Sequence, residues 1–443
     1  MSRRILFVAM QNSIHVARWI EQIADRGWDL HLFPVSNAAP HPRLAGVTIH
    51  WPLARFWPKQ SVHLLARHPA AVFAGRKGIE KQLFPLIENR ALSALPSAGL
   101  LDLLRKVSPA LGASETLPYT RGAFGPKMLA HAIRAVAPDL IHSMEFQHAG
   151  YATLWAKELR NLQFPPWLAT NWGSDIHHFH RIAEHRPLIE RLLRAIDLYS
   201  CECHRDIGLA RDLGFAGTAL PVIPNAGGFA PDEIARLGSG LAPSQRRLIL
   251  VKGYQHFAGR ALIALAALER CSDALNGYRI LVFSAAREIR SRIRAIASSG
   301  RLDIDILDHV GHDEMLRLHG RARLYLGVSL SDGVSTSVLE AMAMGAFPIQ
   351  TNTSCCEEWI VDGRSGYSVP VDDIEFIAAR IRQALRDDSL VDTAASINAE
   401  TVRMRLDASV LKRRVQGFYD KAFAAIDGKA GKRMPNIIGS NHA

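Results

Sequence analysis

Two acidic residues, Asp332 and Glu340, stand eight positions apart in the segment Ser329–Gly345. Between them, Gly333 lets a ligand approach the backbone closely, and Ser335 is a typical helix N-cap residue. A helix that begins there presents free N–H groups that can bind a phosphate. Further along this helix Glu340 could accept hydrogen bonds from a ribose diol, while Asp332 could face a sugar. The spacing also fits an ordinary capped helix with an exposed acid.

Short apolar runs alternate with amphipathic helices in the first half of the chain. The runs predict strands at Ile5–Ala9, Leu30–Val35, Asp139–Ser143, Trp167–Asn171, Leu198–Cys201 and Ala219–Ile223. A helix with Trp19 and Ile20 on its apolar face joins the first two strands. Such a β-α-β unit implies a parallel sheet with right-handed crossovers.

The same pattern starts again after the turn Pro224–Gly228. Strands are predicted within Arg246–Lys252 and at Ile280–Phe283, Ile304–Leu307, Leu324–Val328 and Phe347–Gln350. The predicted fold class is therefore α/β, with two tandem Rossmann-like, doubly wound domains that face each other across a cleft. We place the N-terminal domain at residues 1–226 and the C-terminal domain at 227–405. A helix at 406–427 and a disordered tail at 428–443 complete the chain.

Composition limits the possible classes of protein. The chain has 443 residues and a formal net charge of +11, which favours anionic partners. Five cysteines are few and odd in number, which argues against a secreted disulfide scaffold. The apolar run at the start is too short for a signal peptide, and no run is long enough to span a membrane. These features predict a cytoplasmic protein.

Most of the charge lies in a predicted helical insertion at about 51–130. Its segment Arg55–Lys127 has eleven Lys and Arg against four Asp and Glu, with Trp51, Phe56 and Trp57 among or next to them. Basic residues beside aromatic ones suit docking on an anionic membrane surface, so we expect possible peripheral binding at the inner face of the cell membrane. A helical subdomain with a solvated basic face explains the charge equally well. No nucleic-acid motif accompanies it, so no nucleic-acid partner is expected.

Several segments in order resemble a known family. The segments SLSDG and LEAMAMGAFPIQT within residues 329–351, followed by DGRSGYSVP at 362–370, resemble the donor domain of retaining glycosyltransferases of the GT-B fold, family 4 (glycosyl transferases group 1). The segments NSIHVARWIEQIADRGWDLHL, PDLIHSMEFQHAG, NWGSDI and VIPNAGG resemble the N-terminal half of the same family. The resemblance covers roughly residues 4–425.

The resemblance implies a hexosyltransferase-type enzyme that uses a nucleoside diphosphate sugar, with UDP or GDP expected. It assigns sugar contact to Asp332, ribose contact to Glu340, and phosphate and sugar contact to Gly333, Val334 and Ser335. Lys252 and Arg260 are the candidates for the diphosphate. Three departures stand out: Asp332 replaces a glutamate, Tyr254 follows Gly253 where an arginine is common, and Gln11-Asn12-Ser13 replaces a glycine pair.

The implied reaction retains the anomeric configuration without an evident nucleophile. The growing charge on the leaving diphosphate can be neutralised by Lys252, Arg260 and the helix N-terminus, so no metal and no cofactor are expected. His142, at a predicted strand end, could orient the acceptor or the sugar, although a structural role is as plausible. The acceptor-side candidates are Asn12, His15, Glu145 and Asp175. A saccharide or a lipid-linked intermediate of bacterial surface polysaccharide or glycolipid assembly is the expected acceptor.

Two other functions and two metal-binding motifs also match parts of the sequence. A GT-B-fold sugar-nucleotide epimerase or a non-catalytic nucleotide-sugar-binding protein would also hold a nucleoside diphosphate between two such domains. Asp303-Ile304-Asp305 has the D-x-D spacing of a metal motif, but it lies on a predicted strand that leads into the middle of the second domain. Cys201-Glu202-Cys203-His204 looks like half of a metal site, yet no second pair of ligands stands out.

Overall fold

Two sheets organise the molecule. The computed structural model describes residues 2–36, 38, 40–52, 86–89, 124–159 and 162–432. Within these ranges an eight-stranded sheet has the order β4-β3-β2-β1-β5-β6-β7-β8, and a six-stranded sheet has the order β13-β12-β9-β14-β15-β16. Within these two sheets all pairs are parallel except β3–β4, which is antiparallel. The predicted fold class of two parallel-sheet, Rossmann-like domains is confirmed.

The first sheet is built around β1. Its strands are β1 Arg4–Ala9, β2 Asp29–Pro34, β3 Thr48–Pro52, β4 Leu86–Asn89, β5 Leu140–Met144, β6 Trp167–Thr170, β7 Leu198–Ser200 and β8 Thr218–Ala219. Strand β1 pairs with β2 on one side and β5 on the other, and its five residues after Arg4 are buried. A parallel strand covered on both faces needs such a continuous apolar run. Most of the basic insertion lies outside the described residues.

The second sheet is built around β9. Its strands are β9 Leu248–Lys252, β12 Arg279–Phe283, β13 Asp303–Leu307, β14 Ala322–Gly327, β15 Phe347–Thr351 and β16 Tyr367–Val369. A separate hairpin joins β10 Gln255–His256 to β11 Gly259–Arg260. Because β9 pairs with β12 and with β14, the strand order reverses beside it. Ligands of such sheets bind at this switch point, outside the carboxyl ends of the strands.

Helices cover both faces of each sheet. They are α1 Ile14–Glu21, α2 Phe124–Val136, α3 Tyr151–Lys157, α4 Ser174–His177, α5 Arg186–Ala195, α6 Arg205–Asp212, α7 Pro231–Leu237, α8 Ala261–Arg270, α9 Arg287–Ser298, α10 His312–Arg321, α11 Thr336–Met344, α12 Ile374–Arg386, α13 Asp388–Leu406 and α14 Ala408–Lys432. None of the helices in the described ranges is long and apolar enough to cross a membrane.

The last helix, α14, returns to the first sheet. Its Phe418 and Tyr419 are buried in the same core as Trp19 of α1. The Trp19 Nε1–H donates to the Tyr419 hydroxyl at 2.9 Å, and that hydroxyl lies 2.7 Å from Nδ1 of His142. The helix continues to Lys432, past residue 428 where the tail was predicted to begin. Its partner domain could not be predicted, because amphipathic spacing does not indicate which surface covers a helix.

The sequence pattern also failed to predict several short strands. Only Thr218–Ala219 pairs where a strand was predicted at Ala219–Ile223, because Pro221 has no N–H to donate to a ladder. Strands β3 and β4, the edge strand β16 and the β10–β11 hairpin were not predicted.

Removal of one hydroxyl tests the docking of α14. Tyr419→Phe leaves the buried Trp19 Nε1–H without its acceptor and His142 without one partner, so we expect a loss of about 1–3 kcal/mol of unfolding free energy in urea. Tyr278→Phe is the matched control, since its ring contacts Arg247 5.3 Å away through the π face. The control should change stability by less than about 0.5 kcal/mol. Equal stability of both variants would contradict the assigned hydrogen bonds.

Candidate active site

A cavity of about 330 Å³ lies between the two sheets, at the carboxyl ends of their strands. Residues of both halves of the chain line it: His15, Trp172, Gly173, Ser174, Asp175, Phe179, Glu202, Asn225, Lys252, Tyr254, Phe257, Ala258, Asp332, Val334, Ser335, Thr336 and Ser337. The predicted residues Asp332, Val334, Ser335, Lys252, His15 and Asp175 therefore come together in one place, although they are far apart in sequence.

The loop between β14 and α11 forms one wall of the cavity. Ser335 is the N-cap of α11 with extended backbone angles (φ −60°, ψ 120°), as predicted from its type, and Gly345 ends the helix at φ 78°. The first N–H groups of a helix have no partners within it. In α11 these groups belong to Thr336 and Ser337, which line the cavity. The wall thus offers backbone donors and the positive end of a helix dipole to an anion.

An ion pair crosses the mouth of this loop. Lys252, the last residue of β9, places Nζ 3.2 Å from Oδ2 of Asp332 and 3.4 Å from Oγ of Ser335. Burial alone would lower the pKa of Lys252, but Asp332 and the hydroxyls of Tyr325 and Tyr254 raise it above its usual value. The lysine therefore carries its charge at neutral pH. Asp332 also accepts a hydrogen bond from the Gly333 N–H at 2.9 Å, which fixes the carboxylate.

Glu340 lies behind the cavity wall, one turn into α11. Its side chain is 10% exposed and faces His312 and His319, with N–O distances of 3.5 and 3.7 Å. Burial raises the pKa of Glu340 to about 7, and the positive charges of Arg18 and Lys252 partly oppose this shift. Burial also lowers the pKa of His312 to about 4, so the carboxyl and its neighbours are largely neutral near pH 6.

Two glycines bring the two domains into contact beside the cavity. A Cβ on Gly333 would lie 2.7 Å from Cα of Gly173, and a Cβ on Gly173 would overlap the backbone nitrogen of Gly333. No side chain fits at either position. Arg205 secures this contact, because its Nη2 donates to the carbonyls of both Gly173 (3.2 Å) and Asp332 (3.3 Å). The loop between β14 and α11 therefore touches the opposite domain directly.

A second contact of the same loops uses polar side chains. The Ser174 hydroxyl donates to the carbonyl of Ser331 at 3.1 Å, and His177 Nδ1 lies 3.2 Å from the Ser331 hydroxyl. Burial, and next the charge of Arg205, lower the pKa of His177 to about 3, so this ring is neutral. The segment NWGSDI and the following His177 thus contact the loop after β14.

Glu202 is a cavity residue that sequence reasoning missed. It follows β7 and accepts hydrogen bonds from the N–H groups of Asn225 (3.1 Å) and Gly173 (3.3 Å). Burial raises its pKa to about 7, and the negative charge of Asp332 adds to that shift. Its position directly after a parallel strand was a usable signal. The flanking Cys201, Cys203 and His204 drew attention to a metal site instead.

The acceptor-side candidates divide into two groups. His15 lines the cavity, and its Nδ1 lies 3.1 Å from the carbonyl oxygen of Asn225. Asp175 also lines the cavity and accepts hydrogen bonds from the N–H groups of Trp172 (2.7 Å) and Phe146 (3.0 Å). Burial, together with the nearby charge of Glu145, raises the pKa of Asp175 well above its usual range.

The other two acceptor-side candidates, Glu145 and Asn12, make hydrogen bonds within the local fold. Glu145 is absent from the cavity wall. It caps the following turn by accepting hydrogen bonds from the N–H groups of His148 and Ala149. Asn12 is exposed, is also absent from the cavity wall, and accepts a hydrogen bond from the Ser36 hydroxyl at 2.7 Å. Direct contact with an acceptor in this cavity is therefore not supported for either side chain.

The structure corrects the role predicted for His142. The ring is fully buried, and its nitrogens face Tyr419 (2.7 Å) and Thr170 (2.6 Å) rather than the cavity. Burial lowers its pKa to about 3. The strand was predicted correctly, but α14 covers the face on which this side chain lies. His142 is thus a core residue, and the predicted catalytic role is not supported.

Arg260 is only loosely connected with the cavity. It belongs to the β10–β11 hairpin, and its own N–H donates to the Val328 carbonyl at 2.7 Å. Its guanidinium lowers the pKa of His256, after the larger effects of burial and Lys252. Tyr254 and Phe257 of the same hairpin line the cavity, whereas Arg260 does not. Of the two predicted diphosphate residues, Lys252 is therefore the one at the wall.

A disulfide joins the two domains close to this site. It links Cys203, which follows β7, to Cys355, which follows β15. Cys356 is free, as are Cys201 and Cys271. In the sequence, no second ligand pair stood out for Cys203. The fold brings Cys203 and Cys355 together although 152 positions separate them.

Comparisons with known families agree with the two halves of the fold. Residues 247–387 match the family model described as "Glycosyl transferases group 1". Residues 115–202 match the model described as "Glycosyl transferase 4-like". The first range contains β9, the loop between β14 and α11, and α11 itself, and the second contains β5 to β7 of the first sheet.

Individual relatives are distant. Over 241 residues the chain is 24% identical to a phosphatidyl-myo-inositol mannosyltransferase of Mycolicibacterium smegmatis, a match that covers 54% of this chain and 60% of that protein. Among solved structures, sucrose-phosphate synthase of Thermosynechococcus elongatus aligns with a TM-score of 0.64 at 16% identity over 96% of this chain and all of the other. The Anabaena HepE protein in complex with UDP and glucose aligns with a TM-score of 0.61 at 14% identity, over 95% of this chain and all of the other. Two regions of the chain therefore match glycosyltransferase family models, residues 247–387 the group 1 model and residues 115–202 the 4-like model, and the chain has a GT-B fold.

Proposed function

We propose that the protein is a retaining glycosyltransferase of family 4 that moves a hexosyl group from a nucleoside diphosphate sugar to a saccharide or lipid-linked acceptor. One observation carries the proposal: Lys252, the N-terminus of α11 and Asp332 converge on a single interdomain cavity. A cation and free helix amides suit a diphosphate, and a carboxylate beside them suits the hydroxyls of a sugar. The two matched family models and the neighbours in complex with UDP support this choice of ligand.

Lys252 and Asp332 must change partners when a donor binds. In the structure each neutralises the other at 3.2 Å. A diphosphate at the start of α11 would draw Lys252 to its oxygens and free Asp332 to accept hydrogen bonds from the sugar. As the glycosidic bond breaks, negative charge grows on the leaving diphosphate, where Lys252 and the amides of Thr336 and Ser337 are already in place. Such preorganised donors stabilise a transition state without reorganisation.

The acceptor would approach from the first domain. His15, Asp175 and Glu202 line that side of the cavity, opposite the start of α11. Attack on the same face that the diphosphate leaves would retain the anomeric configuration, and the departing phosphate would take the acceptor proton. Glu340 would accept hydrogen bonds from the ribose. Glu340 lies behind the cavity wall and its side chain is 10% exposed. The ribose of a bound donor must therefore open a path to Glu340 or contact its neighbour His312 instead.

A lipid-linked acceptor of bacterial surface polysaccharide or glycolipid assembly fits the basic segment Arg55–Lys127, most of which lies outside the described residues. Its excess of Lys and Arg could hold the protein on an anionic membrane surface. A soluble saccharide acceptor would leave this segment as a solvated face.

The first experiment measures the reaction itself. Purified protein incubated with a panel of UDP and GDP sugars should release the nucleoside diphosphate from one donor, and product analysis should show retained configuration. Because Lys252 and helix amides can neutralise the diphosphate, turnover should persist in EDTA. Conversion of the donor into an isomeric sugar nucleotide would indicate an epimerase instead. Loss of activity in EDTA with recovery by Mn²⁺ would contradict the assigned role of Lys252.

Substitution of Asp332 separates chemistry from binding. Asp332→Asn should lower kcat by about 100-fold or more, because it removes a charge placed at the reacting sugar, while donor affinity changes little. Asp305→Asn is the matched control, since Asp305 is exposed on β13, where it pairs with Arg279 at 3.5 Å and accepts from the Ile306 N–H at 2.7 Å. Wild-type kcat in the Asp332 variant would remove this residue from the mechanism.

The pKa of Glu340 gives a pH dependence with a defined sign. The carboxyl pKa is raised to about 7, so Glu340 is mostly protonated at pH 6 and mostly ionised at pH 8. Only the ionised form accepts with both oxygens. The Kd for UDP-glucose, measured calorimetrically, should therefore fall about tenfold from pH 6 to pH 8. Glu340→Gln should flatten this profile, and Glu314→Gln, an exposed acid paired with Arg317, should not. An unchanged profile in Glu340→Gln would exclude the ribose assignment.

A further inference from the structure

Two buried sulfurs connect the domains at the edge of the cleft. Cys203 is fully buried and Cys355 is 6% exposed, and the structure joins them as a disulfide. Cys203 belongs to the loop after β7 of the first sheet, next to the cavity residue Glu202. Cys355 belongs to the turn after β15 of the second sheet. No part of the proposed sugar transfer uses this bond.

Hydrogen bonds connect the disulfide with the loop between β14 and α11. The Cys355 N–H donates to the carbonyl of Gly333 at 2.9 Å, and Gly333 is the residue that touches Gly173 of the other domain. Beside the sulfurs, Glu358 accepts a hydrogen bond from the His204 N–H at 2.7 Å, and its other oxygen lies 2.8 Å from Nδ1 of His204. The loops after β7 and β15 thus meet at a covalent link and an ionisable pair, next to the glycine contact between the loops after β6 and β14.

We propose that Cys203 and Cys355 form a reversible disulfide latch that holds the interdomain cleft closed. The physical reason is positional. The sulfurs can meet only when the loops after β7 and β15 are in contact, and each of these loops holds one side of the glycine contact. Glu202, next to Cys203, accepts from the Gly173 N–H at 3.3 Å, and the Cys355 N–H donates to the Gly333 carbonyl at 2.9 Å. Once the bond exists, the loops cannot separate. The consequence for catalysis, slower exchange of nucleotide, rests on the proposed function, whereas the latch itself does not.

Burial explains why opening must precede the redox step. An oxidant cannot reach a fully buried sulfur, so the bond forms after the loops have parted. Because Cys355 retains some exposure, we expect its thiolate to attack first. It would displace one glutathione thiolate from glutathione disulfide and form a mixed disulfide. Closure would then bring the Cys203 thiolate onto the Cys355 sulfur and release the second glutathione. Two thiol protons and two electrons leave the protein, and glutathione disulfide becomes two glutathione thiols.

The neighbouring cysteines supply matched controls. Cys356 is adjacent to Cys355 but directs its sulfur to the Thr351 carbonyl at 3.4 Å. Cys201 is two positions before Cys203, and its sulfur donates to the carbonyl of Cys203 at 3.1 Å. Both are free and buried. Their substitution removes a thiol from the same loops without removing the latch.

A metal ion is the competing occupant of this place. A carboxylate oxygen of Glu358 and both sulfurs lie within 4.8 Å of one another. These atoms could bind zinc, but a structural zinc site needs four ligands. Among the described residues only these three side chains meet at this point, and His204 instead pairs with Glu358. We therefore favour the disulfide and make zinc an outcome of the test.

The test uses the full chain, oxidised with glutathione disulfide or reduced with dithiothreitol. Peptide mapping should find Cys203 linked to Cys355 only after oxidation. Hydrogen exchange at the amides of residues 172–177 and 331–335 should slow at least tenfold in the oxidised form. Cys203→Ser and Cys355→Ser should lose both effects, while Cys201→Ser and Cys356→Ser keep them. Thermal unfolding in dithiothreitol, compared with wild type, identifies any variant that fails to fold. If Cys203→Ser or Cys355→Ser fails to fold, the other of these two variants decides the test.

Three results would overturn the latch. The first is absence of the linked peptide after oxidation. The second is equal exchange in the oxidised and reduced forms, which would show that the bond does not hold the cleft. The third is one bound zinc per chain in the purified protein that Cys203→Ser and Cys355→Ser each abolish. Release of fluorescent UDP should also slow at least tenfold on oxidation. If no form binds UDP, that failure counts against the proposed donor, because mapping and exchange decide the latch by themselves.

Discussion

The contact between Gly173 and Gly333 is the constraint on which the site depends. Backbone meets backbone there, and a single added methyl group would separate the loops. The contact sets the distance between the first helix amides of α11 and the residues of the opposite wall, among them His15, Asp175 and Glu202. Arg205 holds it by donating to a carbonyl on each side. The cavity has its present volume because these two positions have no side chains.

Around this contact the cleft gathers carboxyl groups that have lost most of their water. Burial raises the pKa of Glu202 and Glu340 to about 7, and raises that of Asp175 well above its usual range. Ionisation of such groups opposes folding, since the folded chain binds the proton more tightly than the unfolded chain between about pH 4.5 and 7. Across that window the contribution of Glu340 to stability falls as the pH rises. Groups held at this cost near a cleft are typical of functional sites.

Sequence reasoning succeeded where one short segment contains the whole feature. The N-cap at Ser335, the end of α11 at Gly345 and the central strand β1 each follow from local residue types. It failed where the answer depends on a distant segment. His142 was correctly placed on a strand, but only the fold shows that α14 covers it. Glu202 and Cys203 were visible as unusual residues, while their partners Gly173 and Cys355 lie in loops of other strands or of the other domain.

The two places where the chain crosses between the domains lie side by side, which limits how the cleft can open. The first crossing carries Gly227 and Gly228 at φ 83° and 81°, and the second leads from α13 into α14. The Phe229 N–H donates to the Leu406 carbonyl at 2.8 Å, and the Ala408 N–H donates to the Phe229 carbonyl at 3.0 Å. A rigid rotation that kept these bonds would turn about the paired crossings. Cys203 and Cys355 are buried in the same apolar cluster as Phe229 and Leu406 of these crossings, whereas Gly173 and Gly333 meet beside the cavity. A covalent link between the loops after β7 and β15 therefore restrains the rotation next to the crossings, and it acts on the glycine contact through the hydrogen bond from the Cys355 N–H to the Gly333 carbonyl.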